Sequence, residues 1–331
     1  MSVKAGSAPV IVAASGPSLQ SSLAYILSRR SSFFLIAVSS ALSPLLANGI
    51  TPDICFTTDG GFWASYHLAS PSIKQVSYAV AASSESYCPP GLYSCKDIIP
   101  LSYEDGPEFD IYHSCSIPYI HAERNGTVSG TAALFALSIT TGPVYMCGLD
   151  LAPSAGFVHT QPNALDINNS VAEKRTFTRE TRISSSRFSS DGSLGIYRSW
   201  FRSVSNQTAS RLFRLSDNFP FTEKLSPIAD VNWNFFSSNL SSVSQKNMHL
   251  PLLEKCRPLL SCKERTEIVS QLLSEKRKSG AWNSLLCPLE HLIEQRSLNS
   301  DAYETEHQKY IESCDSVFRR LEKTVSGGRS I

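Results

Sequence analysis

Six short apolar runs, separated by helix-length segments, occupy the first 150 residues: Val10 to Ala14, Phe33 to Val38, Asp53 to Thr57, Gln75 to Ala81, Asp97 to Leu101 and Val144 to Cys147. Each is too short for a helix and apolar at nearly every position, the pattern of strands covered on both faces. The segments between them suit crossover helices. Pro17 fits the first turn of a helix running to about Arg30, and Leu42 to Asn48 makes a short helix that Gly49 closes. From Gly126 to Leu137 a loop turns into a small-residue helix, stopped by Gly142-Pro143. The expected fold is α/β, a mostly parallel sheet with helices on both faces.

Past Asp150 the texture changes. Residues 153 to 193 are rich in Ser, Thr, Asn and Arg, which predicts a long functional loop or lid. Nine basic residues from Lys174 to Arg214 face only Glu180 and Asp191 as acids. After about Pro227 the strand pattern ends. Ile268, Val269, Leu272 and Leu273 suggest one amphipathic helix; Tyr303, Tyr310, Ile311, Cys314, Val317, Phe318 and Leu321 share a face of another. Ser300 is its expected N-cap, with Asp301 and Glu304 in the first turn and Arg319, Arg320 and Lys323 in the last. The expected division is a nucleotide-binding domain over 1–225 and a helical C-terminal region over 226–331.

With 331 residues and 42% hydrophobic content the chain can bury a full core, and a net charge of +1 gives no whole-molecule bias toward nucleic acid or acidic membranes. The apolar run near the start is too short for a signal peptide, and no segment reaches the ~18 apolar residues of a membrane span. A cytoplasmic protein is expected. Its nine cysteines are scattered, with no C-x-x-C pair, so they read as reduced, with Cys55 and Cys147 as small hydrophobes inside strands.

Chemistry concentrates where strands end. The turn Ser15-Gly16-Pro17-Ser18 places backbone N–H groups at a helix start, which is either a phosphate site or a plain tight turn. Gly126 to Thr131 repeats that logic with hydroxyls at Thr127, Ser129 and Thr131; a helix cap with small residues for close packing fits equally. Asp59 and Asp150 follow strands and either converge on a ligand or cap the next segment. His159 suits a general base, a phosphate-stabilising cation or a solvated loop histidine. The arginines suit a phosphate clamp or a solvated face.

Together the motifs Val12-Ala13-Ala14-Ser15-Gly16-Pro17-Ser18-Leu19, Ala37-Val38-Ser39-Ser40-Ala41-Leu42-Ser43-Pro44-Leu45 with Gly49-Ile50-Thr51-Pro52-Asp53, Thr58-Asp59, Gly126-Thr127-Val128, Cys147-Gly148-Leu149-Asp150-Leu151-Ala152 and His159 form a pattern. In order and spacing it resembles the domain shared by motility-associated factor (Maf) flagellin glycosyltransferases and the archaeal 6-hydroxymethylpterin diphosphokinase MptE, over roughly residues 8 to 225. That resemblance implies a Rossmann-like fold related to bacterial sialyltransferases, which use CMP-activated nonulosonic acids. It implies donor contacts at Gly16, Pro17 and Ser18, with Asp59 in the same cleft and Gly126 and Thr127 at the second helix start. Asp150 and His159 match the family's Gly-x-Asp-Leu-Ala and following histidine, and His159 is the expected base or phosphate partner. Ser39-Ser40 stands where the family often has an acidic residue.

The implied activity is sugar transfer from a CMP donor to Ser or Thr hydroxyls of flagellin, with no metal required. The implied alternative is pyrophosphate transfer from ATP to a pterin alcohol, with Mg²⁺ on carboxylates such as Asp59 and Asp150. A third class is a non-catalytic flagellin-binding module. The helical tail is an expected partner or homo-oligomer surface.

Overall fold

The structure is a computed structural model that describes residues 2–61, 64–68, 78–87, 97–152, 159–171, 173–181, 192–215, 224–242 and 248–327. Two compact units share the chain: Met1–Leu101 with Ile120–Lys255, and Ser102–Tyr119 with Cys256–Ile331.

The first unit is built on eleven strands, counted among the described residues: β1 (Ser2–Lys4), β2 (Val10–Ala13), β3 (Phe34–Val38), β4 (Ile54–Thr57), β5 (Ala79–Ser83), β6 (Asp97–Ser102), β7 (Ile120–His121), β8 (Val144–Cys147), β9 (Leu212–Leu215), β10 (Ala229–Val231) and β11 (Leu252–Glu254). Nine of them form one sheet in the order β10-β9-β8-β2-β3-β4-β5-β6-β7, parallel from β10 through β6. β1 and β11 pair antiparallel as a separate ribbon. Every residue of β2, β3, β4, β5 and β8 is buried, which explains why these strands read as continuous apolar runs.

The two faces are covered by different helices. On one, Leu42 of α2 (Ser39–Ala47) packs with Cys55, Val80 and Ala82. On the other, Phe135 of the helix Val128–Ile139 meets Phe56, the neighbour of Cys55, with ring centroids 5.3 Å apart. That helix presents Gly130, Ala132, Ala133 and Ala136, small enough to lie close on β2, β3, β4 and β8. Removing each buried Leu, Ile or Phe side chain from water stabilises the fold by roughly 1.5–3 kcal/mol. The α/β Rossmann-like expectation therefore holds.

Several expected bounds shift. β5 covers Ala79–Ser83, not Gln75 to Ala81, and residues 75–77 lie outside the described set. Strands continue past Pro227: β10 joins the large sheet, and β11 pairs with β1 in the separate ribbon. α1 spans Leu19–Ser28, and α2 begins at Ser39. Of residues 153–193, the stretches 153–158, 172 and 182–191 lie outside the described set, while Ala164–Ser170 is helical.

The second unit is helical: Pro107–Ser114, Cys262–Ser279, Asn283–Leu286, Pro288–Ser297 and Tyr303–Gly327. Leu273, Trp282 and Phe318 form its centre, with Val269, Leu272 and Leu321 against them. The Arg277 guanidinium forks between Asp315 at 2.6 Å and Glu322 at 3.1 Å. Ser261 begins the Cys262–Ser279 helix with a reciprocal cap to Glu264, and Gly280 ends it at φ 69°. The last helix starts at Tyr303; the Ser300 hydroxyl donates to the Ser297 carbonyl and accepts the Ala302 N–H at 3.3 Å, just ahead of the helix rather than as its N-cap.

Candidate functional site

The strand order sets the place of the site. From β2 the chain runs to β3 on one side and returns to the other side of β2 only at β8. Where successive connections diverge in this way, the loops leaving the carboxyl ends part and leave a crevice. The residues after β2 are Ala14 to Ser18, and those after β8 are Gly148 to Asp150.

Two glycines let these turns touch. The Gly16 N–H donates to the Gly148 carbonyl at 2.8 Å, and the Ala14 N–H to the Cys147 carbonyl at 2.8 Å. A Cβ on Gly16 would stand 2.5 Å from the Gly148 oxygen and 2.7 Å from the Asp150 carboxylate. Gly148 adopts φ 68°, and a side chain there would collide with the Ala14 carbonyl.

The start of α1 is already occupied. The Ser18 N–H donates to Asp150 Oδ2 at 2.6 Å, and the Ser18 hydroxyl donates to Oδ1. Ser18 is 1% exposed and Asp150 4%. A carboxylate thus satisfies an orphan amide of the first turn and sits at the positive end of the helix dipole. Burial pushes the Asp150 carboxyl above its ordinary range, against the two Ser18 bonds and the Arg214 charge that pull it down. Ser18 and Asp150 are turned toward each other, behind the crevice. The Pro17 carbonyl accepts the Gln20 N–H at 3.2 Å, continuing the same turn.

The crevice itself holds a cavity of about 130 Å³, lined among others by Ser15, Gly16, Thr127, Ser129, His159 and Tyr197. Here the helix Val128–Ile139 begins. Gly126 turns the chain at φ 78°, and the Thr127 side chain makes no capping bond to the helix it precedes. Asn125 fixes the turn: its Oδ1 accepts the Thr127 N–H at 3.1 Å, and its Nδ2 donates to Thr131 Oγ1 at 2.9 Å. A helix start opening into a cavity favours an anion.

His159 reaches the cavity on a strap tied to β2's turn. The Thr160 N–H donates to the Ser15 carbonyl at 2.7 Å and its hydroxyl to the Gly16 carbonyl at 2.6 Å. Asn163 Nδ2 donates to the Ser40 carbonyl at 3.2 Å, and the Ser40 hydroxyl to the Ser15 hydroxyl at 2.8 Å. Of the expected residues, Gly16, Thr127 and His159 therefore share the cavity wall; Pro17, Ser18, Asp59, Gly126 and Asp150 stand outside it.

Asp59 is exposed and accepts the Gly61 N–H on Oδ1 at 2.8 Å. Its charge acts on His67, a buried residue of α3 (Ala64–His67) that the sequence did not single out. The His67 ring stands edge-on to His159, centroids 6.3 Å apart. Burial pushes His67 down to about 4, His159 pushes the same way and Asp59 opposes both. At neutral pH His67 is an uncharged imidazole behind His159. The only hint in the sequence is its place soon after Asp59-Gly60-Gly61 at a strand's carboxyl end.

Of the nine basic residues from Lys174 to Arg214, five arginines are held by neighbouring carbonyls or acids, while Lys174 and Arg175 are exposed. Arg198 Nη1 donates to the Leu151 carbonyl at 2.9 Å, Arg202 to that of Lys224 at 3.0 Å and Arg211 to that of Gly142 at 2.9 Å. Arg214 pairs with Asp230 at 2.6 Å and Arg179 with Glu173 at 3.0 Å. Arg182 and Arg187 lie outside the described residues. Among the described residues no group of three or more His, Cys, Asp or Glu is arranged to hold a metal ion, and no helix is long and apolar enough to cross a membrane.

Residues 2–156 match the family model described as 6-hydroxymethylpterin diphosphokinase MptE-like, bearing out the resemblance there. An uncharacterized protein of Treponema pallidum (strain Nichols) is 35% identical over 182 residues, 55% of this chain and 40% of that one. The chain thus spans about two fifths of that relative's length. Among solved structures, the MAf glycosyltransferase from Magnetospirillum magneticum AMB-1 aligns at TM-score 0.41 and 14% identity, over 98% of this chain and 57% of that chain.

Proposed function

Starting from the MptE-like match over residues 2–156, we propose that the chain is a transferase that binds a nucleotide-activated donor at the crevice between β2 and β8. The donor is a CMP-linked nonulosonic-acid-like sugar, and the acceptor is a Ser or Thr hydroxyl of a protein, flagellin by the resemblance. The observation that supports this is the opening of the Thr127–Ser129 helix start into the same cavity as His159. The helix start and the hydroxyls of Thr127 and Ser129 suit the donor phosphate. His159 stands on the same wall for the acceptor proton.

In this reaction the bond from the anomeric carbon to the phosphate oxygen breaks, and its electron pair leaves with CMP. The acceptor oxygen forms the new bond and its proton passes to His159. His67, held neutral by burial, stands edge-on behind the His159 ring. A cavity of about 130 Å³ accommodates the reacting phosphate and the anomeric end of a sugar, with the base and the acceptor beyond it. The reaction belongs in the cytoplasm, where nucleotide-activated donors are held. Exposed Leu289, Leu292 and Ile293 on the helix Pro288–Ser297 offer a surface for the acceptor or a second copy.

The name of the matched family favours a second reading, pyrophosphate transfer from ATP to a pterin alcohol. That chemistry uses Mg²⁺. Asp59 and Asp150 do not fit as its ligand pair, because Asp150 is buried with both oxygens on Ser18 while Asp59 is exposed.

The test is calorimetric titration with CMP, CDP, ATP and GTP, with and without Mg²⁺, on wild type, Thr127→Ala and His159→Ala. Metal-independent preference for the cytidine nucleotides, weakened in Thr127→Ala, supports the sugar transferase. Mg²⁺-dependent ATP binding supports the diphosphokinase, and no nucleotide binding supports the non-catalytic module.

A further inference from the structure

Arg214 is 0% exposed in the middle of β9, between Leu212 and Leu215. Its register partners are Met146 on β8 and Asp230 on β10. An aliphatic side chain would satisfy such a position, and a guanidinium withdrawn from water is unfavourable unless partners surround it. Its partners lie on two sides. Nε donates to Asp230 Oδ1 at 2.6 Å, while Nη1 lies 3.5 Å from the Leu149 carbonyl and the charge reaches Asp150. Lys224 holds the second Asp230 oxygen at 2.8 Å, which orients that carboxylate toward Arg214.

On the reading of the crevice as the donor site, we infer that Arg214 is a positioning residue that clamps the Gly148–Leu151 turn between β10 and the start of α1. The chain of contacts runs from Asp230 through Arg214 to the Leu149 carbonyl, and the same turn carries Asp150, which holds Ser18. The turn it holds supplies Gly148, Leu149 and Leu151 to the cavity wall. Arg214 itself does not line that wall, so it acts through the turn. Lysine keeps the charge but loses the planar two-sided fork, so it restores only part of the clamp.

The test uses amide hydrogen exchange on the full chain without ligand, for wild type, Arg214→Met, Arg214→Lys and Asp230→Asn, with CMP affinity measured on the same samples. The expected result for Arg214→Met is about tenfold faster exchange at Gly16 to Leu19 and Gly148 to Leu151, with β4 and β5 unchanged, and about tenfold weaker CMP binding. Arg214→Lys recovers part of both, and Asp230→Asn gives a milder form of the Arg214→Met result. A Ser18→Ala/Arg214→Met double variant is no worse than the poorer single one, because both act through Asp150.

Unchanged exchange at the two turns, or faster exchange spread equally over the sheet, overturns the clamp. Altered exchange with undiminished CMP affinity overturns the link to the donor. A wild-type protein that binds no nucleotide overturns the functional reading instead, and the exchange pattern still decides the clamp.

Discussion

Gly16→Ala tests the contact on which the crevice is built. The new Cβ would stand 2.5 Å from the Gly148 carbonyl oxygen and 2.7–2.8 Å from the Asp150 carboxylate. The carbonyl belongs to a turn that cannot rotate away as a side chain would, so the β2 and β8 turns must separate. Overpacking of this kind costs about 1–3 kcal/mol. The separation also pulls Asp150 from Ser18, and weakening hydrogen bonds to a charged group adds roughly 1.5–3 kcal/mol. The expected loss is about 2.5–6 kcal/mol, a large share of the ~5–15 kcal/mol that holds a typical domain. Gly126→Ala is the control, since a Cβ there meets nothing within 4 Å. Its positive φ of 78° still costs about 1–2 kcal/mol. Urea unfolding followed by circular dichroism gives both values, and calorimetry gives nucleotide affinity. A Gly16→Ala loss under ~0.5 kcal/mol, the level of an ordinary surface change, would refute the close contact of the two turns.

His67 resists protonation in the fold, its pKa about 4 against 6.5 unfolded, so the stability it contributes is present above 6.5 and lost as pH falls toward 4. Wild type should lose roughly 2–3 kcal/mol relative to His67→Asn between pH 7 and 4.5; parallel urea curves for the two proteins would show no such buried neutral imidazole. Ser18→Ala removes a donor from a buried carboxylate and should cost about 1–3 kcal/mol in chemical denaturation. Phe318→Ala empties a site 1% exposed beside Trp282 and should cost about 3–5 kcal/mol, read by urea unfolding of the helical signal.

The sheet was legible wherever burial on both faces leaves only apolar residues, as in β2, β3, β4 and β8. It was not legible in β9 and β10, because each strand is short and interrupted by a charge, Arg214 or Asp230, that only its partner across the pair satisfies. Ser300 has the composition of a cap, but its hydroxyl bridges the preceding helix end and the Ala302 N–H, and the helix begins only at Tyr303. At the site, Gly16, Thr127 and His159 followed from the rule that ligands gather at carboxyl ends of strands. The Ser18–Asp150 pair did not, since no local pattern tells that an orphan amide is satisfied from 132 positions away. His67 is not legible in the sequence because one histidine in a polar stretch is chemically silent until its neighbours are known.

The place of β2 between β3 and β8 also governs when the crevice comes into being. β3 follows β2 at once, but β8 arrives more than a hundred residues later. Until then the β8-facing edge of Val10–Ala13 presents unpaired amides and carbonyls, an open template for a stray strand. A growing chain released before Cys147 would hold the β2 half of the site with nothing to close it. Such long-range pairing slows folding. Protection of the β2 amides in pulse-labelled refolding should therefore appear together with that of β8.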